Sequence, residues 1–156
     1  MEFKHLKEVL ERYGDLLCTR YQTYAPEASG RLVQSARYEV KLGDRVYEVG
    51  LWLEDYWRYV EKGRKAGKFP PIDRIREWIR VKPVIPRPHD GRVPTEKQLA
   101  FLIARKIARE GTEGQGVLER ALEDVTGEMM MSIKEAIIED LKWDMREVLV
   151  MLGNTQ

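Results

Sequence analysis

The residue types in this 156-residue chain that could do covalent or acid–base chemistry are few: two histidines, His5 and His89, one cysteine, Cys18, and scattered carboxylates. Glu54 and Asp55 could join His89 as an acid/base group, but His89 stands beside Asp90 and Gly91, where a turn role is sufficient. His5 and Cys18 fall on a helical repeat and read as incidental. The spacing gives no Ser/His/Asp set, no acid and base in reach of each other, no phosphate cradle and no metal-ligand cluster. The densest chemistry lies in residues 57–79, WRYVEKGRKAGKFPPIDRIREWI, where Arg58, Lys62, Arg64, Lys65 and Lys68 alternate with Trp57, Tyr59 and Phe69. Such side chains form ion pairs and stack; they bind rather than catalyse. Three readings stay open: a solvated loop, contact with an acidic partner subunit, and contact with nucleic-acid phosphate. No Gly-rich RNA-binding signature, helix-turn-helix pattern or zinc spacing accompanies the cluster. The chain reads as an assembly part, not an enzyme, with no cofactor and no metal.

Charge is unevenly distributed. The net charge is +1, yet residues 1–57 carry 8 basic and 10 acidic side chains, 58–110 carry 15 and 6, and 111–156 carry 4 and 10. A cationic middle and an anionic end in one chain are suited to fold on each other or to meet on neighbouring copies. The other reading is a small nucleic-acid-binding module that uses the basic region from Arg58 to Arg92. Hydrophobic content of 43% is that of an ordinary globular chain. The length suits one domain, 1–156, with a core over 1–125. No apolar run approaches the roughly 18 residues that a membrane span needs, and the charged, helix-periodic start is unlike a signal or transit peptide. A single cysteine excludes an internal disulfide and points to a reducing compartment such as the cytoplasm.

The elements that would position these residues follow from periodicity. Phe3, Leu6, Leu10, Tyr13, Leu17 and Tyr24 repeat at helical spacing, and Pro26 stops that helix. Ala36, Tyr38, Val40 and Leu42 alternate with charged residues; Gly43, Asp44 and Arg45 turn; Tyr47, Val49, Leu51 and Leu53 alternate again. This predicts a β-hairpin with Glu48 and Trp52 on its opposite face. A two-stranded hairpin alone is marginal, so further strands are expected from residues near 80–86 or from neighbouring subunits. Residues 55–61 read as a short helix or a tight continuation of the strand. Gly63 and Gly67 bracket a compact loop that needs positive φ, and Pro70-Pro71 opens a helix striped by Ile72, Ile75 and Ile79. Four prolines make 82–94 an extended loop. Thr95 and Gln98 form a capping box for a helix carrying Leu99, Leu102, Ile103 and Ile107. A long acidic helix closes the chain at about 116–152, with a kink expected near Thr126-Gly127. Met129, Met130 and Met131 on it read as gap-filling core or oligomer contact. Glu61 with Arg64, and Asp73 with Arg76, read as local ion pairs. The fold class is α+β: a small antiparallel sheet with a β-hairpin, covered by an N-terminal helix and C-terminal helices.

The order of motifs resembles a phage structural family. Pro26-Glu27-Ala28-Ser29-Gly30-Arg31-Leu32 and Ser35 are similar to its Pro-x-x-Thr-Gly-x-Leu-x-x-Ser segment. Tyr59-Val60-Glu61 before Gly63-Arg64 resembles its Tyr-x-x-(Phe/Tyr)-Val-Glu-x-Gly. The likeness runs on through Gly67-Lys68-Phe69-Pro70-Pro71, through Ile75 and Trp78, through residues 100–107 with Gly111-Thr112, and ends at Leu118, Ala121 and Leu122. The family comprises the neck, tail-completion or head–tail joining proteins of long-tailed bacteriophages, often described as minor tail components. Ala28-Ser29 departs from its Thr, and the 82–94 loop and the acidic final helix exceed its core pattern. The resemblance implies a virion structural protein of the head–tail connector, made in the host cytoplasm. It would assemble as a homo-oligomeric ring around the DNA channel between portal or adaptor and tail, with non-specific DNA contact there and no membrane. The expected subunit contacts are Tyr59, Glu61, Arg64, Lys65, Lys68 and Phe69, on a loop shaped by Gly63, Gly67, Pro70 and Pro71. A ring closes through one patch meeting a different patch on the next copy.

Overall fold

The computed structural model describes residues 3–26, 30–43, 46–82, 84–88 and 91–153, without the side chain of Arg31. The expected turn at Asp44-Arg45, the His89-Asp90 loop tip, Pro83, and Glu27-Ala28-Ser29 of the phage-like motif lie outside the described residues. The elements in order are α1 (Lys4–Tyr24), α2 (Gly30–Ser35), β1 (Arg37–Leu42), β2 (Tyr47–Trp52), α3 (Trp57–Lys62), β3 (Gly63–Arg64), α4 (Ile72–Val81), α5 (Glu96–Glu110), β4 (Thr112–Glu113) and α6 (Val117–Gly153). The class is the expected mixture of an antiparallel hairpin with N- and C-terminal helices. The chain forms two compact units interleaved in sequence: residues 1–24, 35–53 and 118–156, and residues 25–34 and 54–117.

The first unit packs α1, the β1–β2 hairpin and α6. Leu6 and Leu10 of α1 and Ala136 of α6 are buried together, with Val40, Tyr47 and Val49 of the hairpin and Met129, Ile133 and Ile137 of α6 against them. The hairpin register pairs Val40 with Val49 and Tyr38 with Leu51, which puts the alternating apolar residues on one face. Trp52 lies on the other face as expected, half exposed, its indole N–H donating to Glu39 Oε2 at 3.1 Å. Gly14 is buried in the middle of α1, where helix propensity argues against glycine. Packing explains it: a Cβ there would stand 2.5 Å from the Tyr38 ring, so only glycine lets β1 approach this closely.

Helix α1 is held antiparallel to α6 by a series of polar ties. Tyr24 OH bonds to Asp124, Tyr13 OH lies 3.0 Å from Ser132 Oγ, and Asp140 reaches the first turn of α1. Helix α6 runs through Thr126-Gly127, where a kink was expected, as one continuous element. The Thr126 hydroxyl donates to the Leu122 carbonyl at 2.6 Å, while buried Val125 and half-buried Met129 hold either side of an exposed Gly127.

The second unit is organised by α4 against α5. Ile75, Ala100 and Ala104 are its buried centre, ringed by Ile72, Ile79, Ile103 and Ile107. The two alanines on α5 let the isoleucine face of α4 lie close. Thr95 caps α5 in a full capping box with Gln98. Helix α4 begins at Ile72 with Pro71 as its cap, one position later than a proline-first helix would start. No further strand joins the hairpin among the described residues: 80–81 are helical and 84–88 are irregular. The other strand pair is short and distant in sequence. Gly63 and Arg64, expected in a loop, form β3 and pair antiparallel with Glu113 and Thr112 of β4.

Candidate assembly surfaces

The 59–71 segment is a strap, not a free loop. The β3–β4 ladder is extended on both sides: Gln115 N–H donates to the Val60 carbonyl at 2.8 Å, and Gly67 N–H to the Ala108 carbonyl at 2.7 Å. Gly63 sits at φ +72, and a Cβ there would overlap the Thr112 carbonyl oxygen, so both its conformation and its neighbours require glycine. Gly67, at φ +120, has open space around its Cα; its conformation alone favours glycine. The two positions thus differ in kind, although they look alike in the sequence.

Arg64 is partly buried. Its guanidinium donates to the Lys68 and Phe69 carbonyls at 3.2 and 3.4 Å and lies 5.5 Å from the Tyr59 ring centre. It closes the strap on itself, a role beyond the local ion pair and partner contact expected from the sequence. Glu61 is half buried at the end of α3, while Pro70 is half buried and Pro71 exposed. Phe69 meets Phe101 of α5, ring centres 5.7 Å apart, and leaves 47% of its surface exposed. Tyr59, Lys65 and Lys68 are exposed. Of the expected contact set, these three and Phe69 form the outward surface, while Arg64 and Glu61 face their own fold more than solvent.

Much of the cationic character of α4 is already answered. Glu96, at the start of α5, accepts from Arg76 Nε at 2.9 Å and from Arg80 Nε and Nη2 at 3.0 and 2.9 Å. Those hydrogen bonds, Arg80 first and Arg76 second, hold the Glu96 carboxyl below its usual range. Asp73 pairs with Arg76 at 3.5 Å, as expected from their spacing.

Two features of the first unit were not legible as sites. His5 is not incidental: its Nδ1 lies 2.7 Å from Oδ1 of Asp140, which also accepts its backbone N–H. Cys18 is a buried thiol donating to the Ala36 carbonyl at 3.2 Å; burial, with the Asp15 charge, pushes its pKa up, against a reactive role. The second feature is the end of α6. Asp140 lies level with the start of α1, and from Leu141 onward the residues of α6 are exposed, Asp144 alone being half buried. The expected apolar stripe does continue through Leu141, Met145 and Val148, but it faces outward. Together with Lys4 and His5 this stretch borders an open groove of about 790 Å³.

No protein-family model, no curated protein and no solved structure matches this chain.

Proposed function

We propose that this chain is a virion structural protein of the head–tail connector of a tailed bacteriophage, a neck or tail-completion component that acts by oligomeric assembly around the DNA channel. The observation that carries the assembly part is the exposed apolar end of α6. Leu149 is 65% and Val150 62% exposed on the helix, a surface that costs free energy until another surface covers it. The phage assignment rests on the ordered resemblance from Pro26 to Leu122, and it accounts for a cationic middle and anionic end meeting on neighbouring copies. The half-exposed Tyr59 and Phe69 with Lys65 and Lys68 provide a second contact surface in the other unit.

The alternative, a nucleic-acid-binding module built on Arg58 to Arg92, is weakened by the use of its arginines inside the fold. Arg76 and Arg80 are engaged by Glu96, and Arg64 by backbone carbonyls. Electron microscopy of the purified protein, alone and with a portal–adaptor assembly, tests the assignment. Rings with a central opening are expected. A dispersed protein that binds duplex DNA tightly, with affinity falling steeply as salt rises, would replace it with the nucleic-acid reading.

A further inference from the structure

We infer that residues 141–152 of α6 pack against the same segments of two neighbouring copies, forming a parallel helical bundle of at least three chains. The inference rests on the assembly reading and names the element that makes the contact.

At about 100° per residue, Leu141, Met145 and Val148 share one face of the helix, while Trp143 and Val150 lie on the opposite face. Leu149 extends the first face towards one flank and Met151 towards the other. All of them are exposed, from 41% at Leu141 to 68% at Met151. A helix that is apolar on one stripe needs one neighbour; one that is apolar around most of its circumference belongs in an interior. A two-chain pairing would cover the Leu141–Val148 face and leave the flanks that carry Leu149 and Met151 largely in water. Two neighbours per helix, as in a closed cyclic bundle, cover that face and both flanks, with Trp143 and Val150 on the outside of the bundle.

Charge selects the occupant. Lys142 and Arg146 lie on one flank, and Asp144 and Glu147 on the other. Lys142 Nζ is held by Glu139 at 2.8 Å on its own helix, so Arg146 is the principal cation available for pairing along that flank. A basic flank and an acidic flank on one helix are complementary between identical copies only when unlike flanks meet, as they do between parallel helices, including those of a closed ring. The antiparallel two-fold alternative would bring each flank against its own kind. The spacing Leu141, Met145, Val148, alternating four and three residues, is the repeat by which helices interlock side by side.

Helix α1 supports this geometry. Among the described residues its last hydrogen-bonded tie to α6 is at Asp140, and α6 then continues for thirteen residues to Gly153. That is roughly 20 Å of projecting helix at about 1.5 Å per residue.

The test is sedimentation equilibrium of the full chain, with circular dichroism to confirm folding of each variant. The wild type is expected to form a species of three or more chains. Val148→Glu should weaken self-association at least 100-fold without changing helicity below residue 140. Arg146→Glu, which sets acid against acid, should also weaken it, and adding Glu147→Arg to that variant should recover at least tenfold. A wild type that is monomeric or dimeric at every concentration overturns the inference. So does an oligomer unaffected by Val148→Glu, but in that case the ring reading survives through other contacts. If Val148→Glu still joins a portal–adaptor assembly as well as wild type, the bundle is refuted and the connector assignment retained. Failure of both proteins to join it counts against the assignment itself.

Discussion

The carboxylate of Asp140 caps a helix whose first turn lies about 135 residues earlier: its Oδ1 and Oδ2 accept the N–H groups of His5 and Leu6, each at 2.9 Å. Phe3, immediately before α1, has no side chain that can cap, so these amides would otherwise lack an acceptor. Asp140 is 3% exposed, and its negative charge also faces the positive end of the α1 dipole. The His5 ring closes over it from the solvent side. One carboxylate thereby fixes the register of α1 on α6 and marks where the covered part of α6 stops.

Replacing Asp140 with Ala should destabilise the fold by about 2–3 kcal/mol, because it removes two charge-accepting bonds and leaves buried amides unsatisfied. For a chain of this size the expected fall in Tm is about 4–12 °C. Scanning calorimetry measures it; a change under about 1 °C would mean that water replaces the cap.

The same group sets an acid dependence. Burial alone would raise the Asp140 pKa; the His5 and Leu6 backbone bonds, with the His5 ring, outweigh it and leave the carboxyl below its ordinary value. Its contribution is therefore complete above the unfolded value of about 4 and is lost as pH falls through the lower folded value. Urea titrations from pH 6 to pH 2 should show this loss in the wild type. Asp140→Asn should show a shallower acid limb; equal slopes would refute the linkage.

Gly14→Ala should be destabilising by about 1–2 kcal/mol even though alanine favours helix by about 1 kcal/mol. The Tyr38 ring occupies the space of the added methyl. In a Tyr38→Ala background the sign should reverse, with Gly14→Ala now stabilising. Chemical denaturation of the four proteins in that cycle decides it, and additive effects would disprove the contact.

The two strap glycines should separate. Gly63→Val is expected to abolish the β3–β4 pairing and cost about 3 kcal/mol or more, since both φ and the Thr112 carbonyl oppose it. Gly67→Ala, with open space around it, should cost only about 1 kcal/mol. Amide exchange at Gln115 and Gly116 reports the difference; equal protection in the two variants would place the constraint elsewhere.

The parts of the fold that were legible are those governed by local pattern. The repeat from Phe3 to Tyr24, the alternation around Gly43, and Thr95 with Gln98 each announce their element within a few residues, and all three stand in the structure. Long-range pairings left weaker signals. Gly63 looked like a loop glycine because its meaning depends on its strand partner Glu113, fifty residues away in sequence. Asp140 interrupts an apolar repeat, and α1 lacks a capping residue of its own; only together do those facts predict the tie. The apolar stripe of α6 was read correctly as a pattern, yet periodicity does not say whether a stripe faces its own chain or another. The bonds of Arg64 to the Lys68 and Phe69 carbonyls were not legible either, since no residue pattern encodes a carbonyl acceptor.

The central claim is that the protein works by self-assembly, and its most direct test is native mass by multi-angle light scattering across protein concentrations, at low and moderate salt. The account predicts one closed species of defined mass, at least three chains, that loosens as salt screens the flank charges and does not grow without limit. A monomer at every concentration and both salt conditions would contradict it.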